Sequence, residues 1–442
     1  MERDTAKLFE DFIRQAEDMN ARIKADTEAY RKGRVYIKLK SDQPISGVKI
    51  RVTQKTHEFK FGANIFMLDE LESSEKNETY KKLFKDAFNL ATSPFYWDTL
   101  EAKQGNPRYS AQSEKVYRRP APDLCVDFCK KNGIEPKLHC LCYDNFTPEW
   151  FKNAPVSEEK RLLEKRFQEI SERYANIIPD IEVTNEHIWP VKGASSFYTE
   201  PDYIDWCYKT ADKYFSNNKL VINEGPDNIW WQARRPIDRQ MYYLLIEKAI
   251  ANGARIDKIG MQYHIWQYEE DDYKNTRTIF NLEYIFKTLD TYSGLAPELQ
   301  ITEITLPAKG RSDEDEDYQA EVLEKLYRIW FSHKNMKAVI CWNLVDGYAF
   351  LAEPGDMTAG ENIYYGGLIN FDMTPKKAYK KLLELTKKEW HTQEDLVTDD
   401  AGMTNFKGFY GAYEIEIAIG ERIYKKEITL SKYAKNEYII EL

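Results

Sequence analysis

Apolar positions follow three different rhythms along the chain. Between residues 5 and 31, Leu8, Phe12, Ala16, Met19 and Ile23 recur at helical spacing in a charged background, which predicts an amphipathic helix over residues 1–33. Residues 34–40 and 48–53 then alternate apolar and polar with period two on either side of the turn Asp42-Gln-Pro-Ile-Ser-Gly47, the pattern of a hairpin with one solvated face. The far end repeats it with residues 410–419, a turn at Gly420-Glu421, residues 423–430 and residues 437–442. Neither group has enough strands to cover its own apolar face, so residues 34–58 and 396–442 are expected to pack together as one discontinuous β-sandwich.

The third rhythm fills residues 59–395. Eight short strand-like runs, several of them rich in β-branched residues, close near Asn64, Thr92, Cys142, Asn185, Asn223, Gln262, Glu303 and Trp342. Strands buried on both faces read this way. Amphipathic stretches such as 159–174, 239–251 and 317–331 lie between them. The alternation predicts an α/β chain, a TIM (β/α)8 barrel with the small sandwich built from both termini.

Composition narrows the function. The 442 residues carry 63 basic and 73 acidic side chains, net −10, with no basic block able to track a phosphate backbone, so no nucleic acid partner is expected. No run approaches the roughly 18 apolar residues of a spanning helix, and the start lacks the apolar region of a signal peptide. Six cysteines show neither disulfide nor zinc spacing. They read as reduced buried thiols and imply a cytoplasmic protein, a secreted one whose signal peptide is absent from this chain being the alternative. No cofactor or metal is called for. Ten Trp and 30 Tyr supply flat rings on which sugar faces stack, and a polysaccharide or oligosaccharide is the expected partner.

Candidate chemistry gathers where strands end. Glu186 closes Ile181-Glu-Val-Thr-Asn-Glu and Glu303 closes Leu299-Gln-Ile-Thr-Glu. Asn-Glu occurs at Asn77, Asn185, Asn223 and Asn436, so placement rather than the dipeptide distinguishes Glu186. A carboxylate at the carboxyl end of a barrel strand stands where such barrels react, and two facing carboxylates are the minimum equipment for glycoside hydrolysis. In a retaining hydrolase the carboxyls lie about 5 to 5.5 Å apart. An ionised Glu303 that close raises the proton affinity of Glu186 until the nucleophile is covalently engaged. His139, Asn185, Gln262, His264 and Trp342 are expected at the same rim.

Phe61-Gly-Ala-Asn64, the stretch His139-Cys-Leu-Cys-Tyr-Asp-Asn-Phe-Thr-Pro-Glu-Trp150, Val183-Thr-Asn-Glu186, Ile259-Gly-Met-Gln-Tyr-His264, Ile301-Thr-Glu303 and the closing Gly367–Tyr379 segment resemble glycoside hydrolase family 10, the retaining xylanases, over roughly residues 57 to 388. The resemblance implies Glu186 as general acid/base, Glu303 as nucleophile, Asn185 as donor to the sugar 2-hydroxyl, and His139 and Trp342 against the sugar beside the scissile bond. Gln262 and His264 would orient the nucleophile. Where the family carries Glu-Asn-x-x-Lys-Trp this chain has Thr92-Ser-Pro-Phe-Tyr-Trp97, leaving Trp97 and Glu101. Tyr143-Asp144 replaces a Trp-His pair, Thr305 stands in place of a carboxylate, and Trp342-Asn343 passes the later aromatic role to Tyr348 or Phe350. Cleavage of xylan or xylo-oligosaccharides is the first expectation. The same mechanism on another β-linked glycan, or exo-acting, comes second, and a non-catalytic carbohydrate-binding barrel third.

Overall fold

The computed structural model describes every residue except 1, 2, 153, 189–194, 233, 234, 267–277, 309 and 311, with side chains from residue 10 onward; the predicted contact of Leu8 lies outside the described side chains. The amino-terminal stretch forms two helices, Arg3–Asp18 and Asn20–Tyr30, in place of the single predicted one. Met19 leaves the helical region with ψ at 0°, so the second helix starts afresh. Phe12, Ala16 and Ile23 are nevertheless buried, as the helical spacing requires.

The strands are β1 (Lys32–Lys40), β2 (Lys49–Gln54), β3 (Lys60–Asn64), β4 (Leu90–Pro94), β5 (Glu135–His139), β6 (Asp180–Asn185), β7 (Lys219–Glu224), β8 (Lys258–His264), β9 (Glu298–Thr305), β10 (Met336–Cys341), β11 (Gln393–Val397), β12 (Met403–Phe409), β13 (Gly411–Ile419), β14 (Arg422–Leu430) and β15 (Glu437–Glu441). Strands β3 to β10 close into a parallel barrel in sequence order, β10 pairing with β3. Helices Val156–Tyr174, Met241–Ala251 and Asp313–Ser332 fall at the predicted amphipathic stretches. The last starts at a capping box, Ser312 and Asp315 satisfying each other's backbone amides,. The polar run around Glu78 opens the helix Ser74–Ala87, where the Ser73 hydroxyl accepts from the Lys76 amide.

The lumen is not wholly apolar. Near the amino end of the strands Lys258 Nζ meets Asp180 at 2.8 Å, and Gln300 Nε2 donates to the same carboxylate at 2.6 Å. One layer higher, Lys137 pairs with Glu182. Each charge has a partner, as burial demands.

The termini form two sheets, β12-β1-β15 and β11-β2-β13-β14, which face each other across Val35, Ile37, Ile50, Val52, Ile415 and Ile417. The carboxyl-terminal contribution begins at Gln393, three residues ahead of the expected boundary. The unit sits against the barrel's amino end, where Phe331 stacks on Trp390 at 4.1 Å and Arg31 reaches the carbonyls of Phe331, His333 and Met336. All six cysteines are buried and free. No helix among the described residues is long and apolar enough to cross a membrane.

Candidate active site

Two register shifts aim the polar side chains. Between β8 and β9 the pairing steps from Met261↔Ile301 to Gln262↔Glu303, leaving Thr302 unmatched, and between β6 and β7 the odd residue is Val183, which brings Asn185 opposite Asn223. Such bulges re-aim side chains next to active sites. Directly after β6, Glu186 has a φ of 46°, a left-handed conformation that is costly for a residue with a Cβ and is kept where the surroundings dictate it.

The consequence is one shared hydrogen-bond network. Gln262 Nε2 lies 3.0 Å from Glu186 Oε1 and 3.2 Å from Glu303 Oε1. A common donor at those lengths holds the two oxygens within about 6 Å, which suits the separation of about 5 to 5.5 Å used by retaining glycosidases. Asn223 Nδ2 donates to Glu303 Oε1 at 2.9 Å and to Asn185 Oδ1 at 2.9 Å. His264 Nε2 lies 3.2 Å from Glu303 Oε2, and its Nδ1 lies 2.9 Å from Thr305 Oγ1. Tyr143 donates its hydroxyl proton to Glu186 Oε2.

The two carboxylates differ in setting. Glu186 is half-buried, whereas Glu303 is only 3% exposed. Burial drives the Glu303 carboxyl up to about 8; the nearby His139 opposes this, and Glu182 and Glu186 add to it. Burial also holds His264 down at about 4, so the imidazole is neutral. Glu182 is pushed up by burial, but His139 and Lys137 outweigh that and bring it to about 2. His139 is held at both ring nitrogens, by Glu182 Oε1 at 2.7 Å and Tyr96 OH at 2.9 Å. Among the described residues His139, Cys140 and Glu182 are the group whose ligand atoms lie close enough to hold a metal, but the Lys137 ammonium already occupies the cation position on Glu182.

These groups open into a cavity of about 580 Å³ at the carboxyl end of the barrel, walled by Phe66, Tyr96, Phe146, Trp266 and Trp342. A larger cleft of about 980 Å³ lies at the opposite end, around Lys60, Glu135 and Asn218, far from this carboxylate pair.

The sequence pattern of Glycosyl hydrolase family 10 matches residues 52–385. The chain belongs to that family. Endo-1,4-beta-xylanase 2 of Arabidopsis thaliana is 23% identical over 429 residues, covering 94% of this chain and 36% of the relative. The anti-sigma-I factor RsgI6 of Acetivibrio thermocellus is 23% identical over 91% of this chain and 47% of its own. The chain thus spans about a third and about half the length of these two relatives. Native xylanase 10B from Thermotoga maritima superposes with a TM-score of 0.59 at 19% identity, covering 75% of this chain and 96% of that one, a likeness of fold.

Within this family 10 chain the structure gathers most of the expected residues and sets two apart. His139, Tyr143, Asn185, Glu186, Gln262, His264, Glu303 and Trp342 all line the cavity. Trp97 and Tyr348 do not, and both are corrections. The Trp97 indole donates to Glu101 Oε2 at 2.8 Å and packs on Phe151, because the segment that would turn it toward a sugar is rebuilt. The Tyr348 hydroxyl is engaged by Glu72 and Lys76 on the outer side of its loop, and Phe350 fills the cavity wall instead. Trp266, stacked on His264 at 4.5 Å, was missed, although the alternation that links Gln262 to His264 runs on to it. Tyr96, Arg118 and Arg119 also line the cavity from loops, and Glu361 from the short 3-10 helix Gly360–Tyr364, where no periodicity marks them.

Proposed function

We propose that the chain is a retaining glycoside hydrolase that cleaves β-1,4-linked xylan or xylo-oligosaccharides by double displacement. The observation that carries this reading is the pair Glu186 and Glu303 sharing one amide donor at the mouth of the barrel. Glu303 Oε attacks the anomeric carbon while the glycosidic C–O bond breaks, and Glu186 passes its proton to the departing oxygen. Water then attacks the glycosyl-Glu303 ester, Glu186 takes the water's proton, and the sugar leaves with its configuration retained. The burial contrast suits this division of labour: the buried nucleophile is fixed by Asn223, Gln262 and His264, and the more open acid can exchange protons with water. Asn185 spends its carbonyl on Asn223 and Gln262, so that, among the described residues, its amide N–H groups are left to donate to the sugar 2-hydroxyl, a contact that strengthens in the transition state.

Turnover of aryl β-xyloside, aryl β-glucoside, xylan and mixed-linkage glucan tests the reading. Xylan-type substrates are expected to be cleaved with retention. Cleavage confined to glucosides assigns the same chemistry to another glycan, and inactivity on all four with measurable oligosaccharide binding replaces it with a binding role.

A further inference from the structure

Arg118 and Arg119 lie between β4 and the helix Pro122–Asn132, in the loop that follows the rebuilt glycone segment, and both line the cavity. They are 3% and 7% exposed, yet neither forms an ion pair among the described residues. Arg118 Nη1 donates to Asn343 Oδ1 at 3.1 Å and to the Tyr348 carbonyl, and Arg119 Nη1 donates to the Arg118 carbonyl at 3.0 Å. Among the described residues both Nε–H groups are buried with no partner. What steadies Arg119 is aromatic: its guanidinium carbon lies 4.0 Å from the Tyr96 ring centre, 5.3 Å from Phe146 and 5.5 Å from Phe66.

Two adjacent guanidinium groups in this state are poorly compensated. Burying a charge without a counter-charge is costly, and ring contacts return only part of that cost. Burial draws Arg119 down to about 10. Arg118 adds backbone strain, its φ of 60° lying in the left-handed region,. Asp98 and Glu361 act on Arg119 through space only, with no ion pair to it among the described residues. Glu361 Oε2 accepts from Asn343 at 3.1 Å, Asp98 Oδ1 accepts from the Thr99 amide, and Glu186 and Glu303 belong to the Gln262 network. A planar guanidinium with open donors is shaped for a carboxylate.

We propose that Arg118 and Arg119 form a carboxylate-binding subsite at the glycone end of the cavity, which receives a uronic acid carried by a xylan-type chain. The inference rests on the reading of the cavity given under Proposed function and adds the charge of the substrate to it.

Calorimetric titration of the Glu303→Gln protein with xylotetraose and with the same backbone bearing a glucuronic acid branch provides the test. The acidic sugar is expected to bind at least tenfold more tightly at low salt, with a smaller advantage in added sodium chloride. Arg119→Gln on that background should erase the advantage, and Arg119→Lys should keep part of it. Equal affinities for the two sugars in the unaltered pocket overturn the proposal whether or not the arginine variants fold. So does a preference that survives both Arg118→Gln and Arg119→Gln. Hydrolysis of both sugars by the wild-type protein, measured in parallel, separates the two levels: cleavage without acidic preference removes the subsite and leaves the xylanase reading standing, and neither cleavage nor binding removes both.

Discussion

His264 shows how one substitution changes the chemistry of its neighbour. Its Nε2 faces Glu303 and its Nδ1 faces Thr305, a hydroxyl that can donate or accept and so leaves the imidazole neutral. Burial reinforces this, holding the ring at about 4 while Glu303 rises to about 8. Since the nucleophile reacts only when ionised, kcat/KM should rise with pH well above the ordinary carboxylate range. Thr305→Asp should draw a proton onto His264, and a protonated imidazole favours the Glu303 carboxylate. The acidic limb of the kcat/KM profile is therefore expected to move down by about one pH unit or more; an unmoved limb would show that Thr305 has no hold on the nucleophile. Removing either carboxylate separates their duties. Glu303→Gln should lower turnover by roughly four orders of magnitude on every substrate. Glu186→Ala should retain activity on aryl glycosides with good leaving groups and recover with azide, because only the proton donor is lost. The residues in these predictions were legible because they sit at strand ends with period two. Arg118 and Arg119 were not, since a side chain reaching the cavity from a loop owes its place to backbone turns that no spacing rule encodes; nor was Glu361, on a 3-10 helix too short to show a period.

At the scale of elements the same contrast holds. All eight barrel strands could be read because parallel strands buried on both faces are rich in β-branched and apolar residues, as Leu220-Val-Ile is, even where a paired charge such as Glu182 interrupts the run,. Strands β11 and β12 escaped notice because Gln393–Val397 is almost wholly solvated and Met403–Phe409 buries one face only towards its end. The break at Met19 was equally hidden, for the apolar spacing continues unchanged across it. What the sequence could not show is how tightly the terminal sheets are tied to the barrel. Strands β13 and β11 flank β2, β12 and β15 flank β1, and Phe409 lies 5.9 Å from Phe331. Deleting residues 393–442 would strip β1 and β2 of every sheet partner and expose Val35, Ile37, Ile50 and Val52. The truncated chain is expected to lose solubility or melt more than 10 °C lower, a shift of the order expected when several buried aliphatic side chains, about 1.5 to 3 kcal/mol each, return to water. An unchanged melting temperature with weakened glycan binding would make the sheets a sugar-binding appendage instead. Arg31→Met tests the joint alone: it removes the donors to three carbonyls at the barrel's amino end and should cost about 2 to 4 kcal/mol.

Taken as a whole molecule, the barrel holds its buried acids in two opposite states, and stability should record the balance. Glu182 is held near 2 by Lys137 and His139 against the cost of burial. Its folded value lies below its unfolded one, so its contribution is present above the ordinary carboxylate range and is lost as pH falls towards 2. Glu303 and Glu224 are the reverse, each lifted to about 8 by burial in the first place. The folded chain keeps protons on them through the window from about 4.5 to 8 in which the unfolded chain has released them, so each of the two lowers stability as pH rises across that window, by up to about 1.4 kcal/mol per pH unit; below about 6.5 they are opposed by His57, His187 and His264, which burial holds down at about 3, 3 and 4 and which the unfolded chain protonates. Above about pH 6.5, where those histidines are neutral in both states, the melting temperature is therefore expected to fall as pH rises, although the catalytic cycle needs the ionised nucleophile. Glu224→Gln isolates one of the two contributions without touching Glu186 or Glu303. Glutamine can still accept from the Gly225 amide and the Asn228 side chain, and it forfeits the bond from the Ile188 amide at 3.2 Å. That forfeit subtracts the same amount at every pH, whereas the missing ionisation changes the slope. Urea midpoints measured from pH 7 to pH 8 should consequently decline less steeply in the variant than in the wild type, and parallel declines would mean that Glu224 is ionised in the folded barrel.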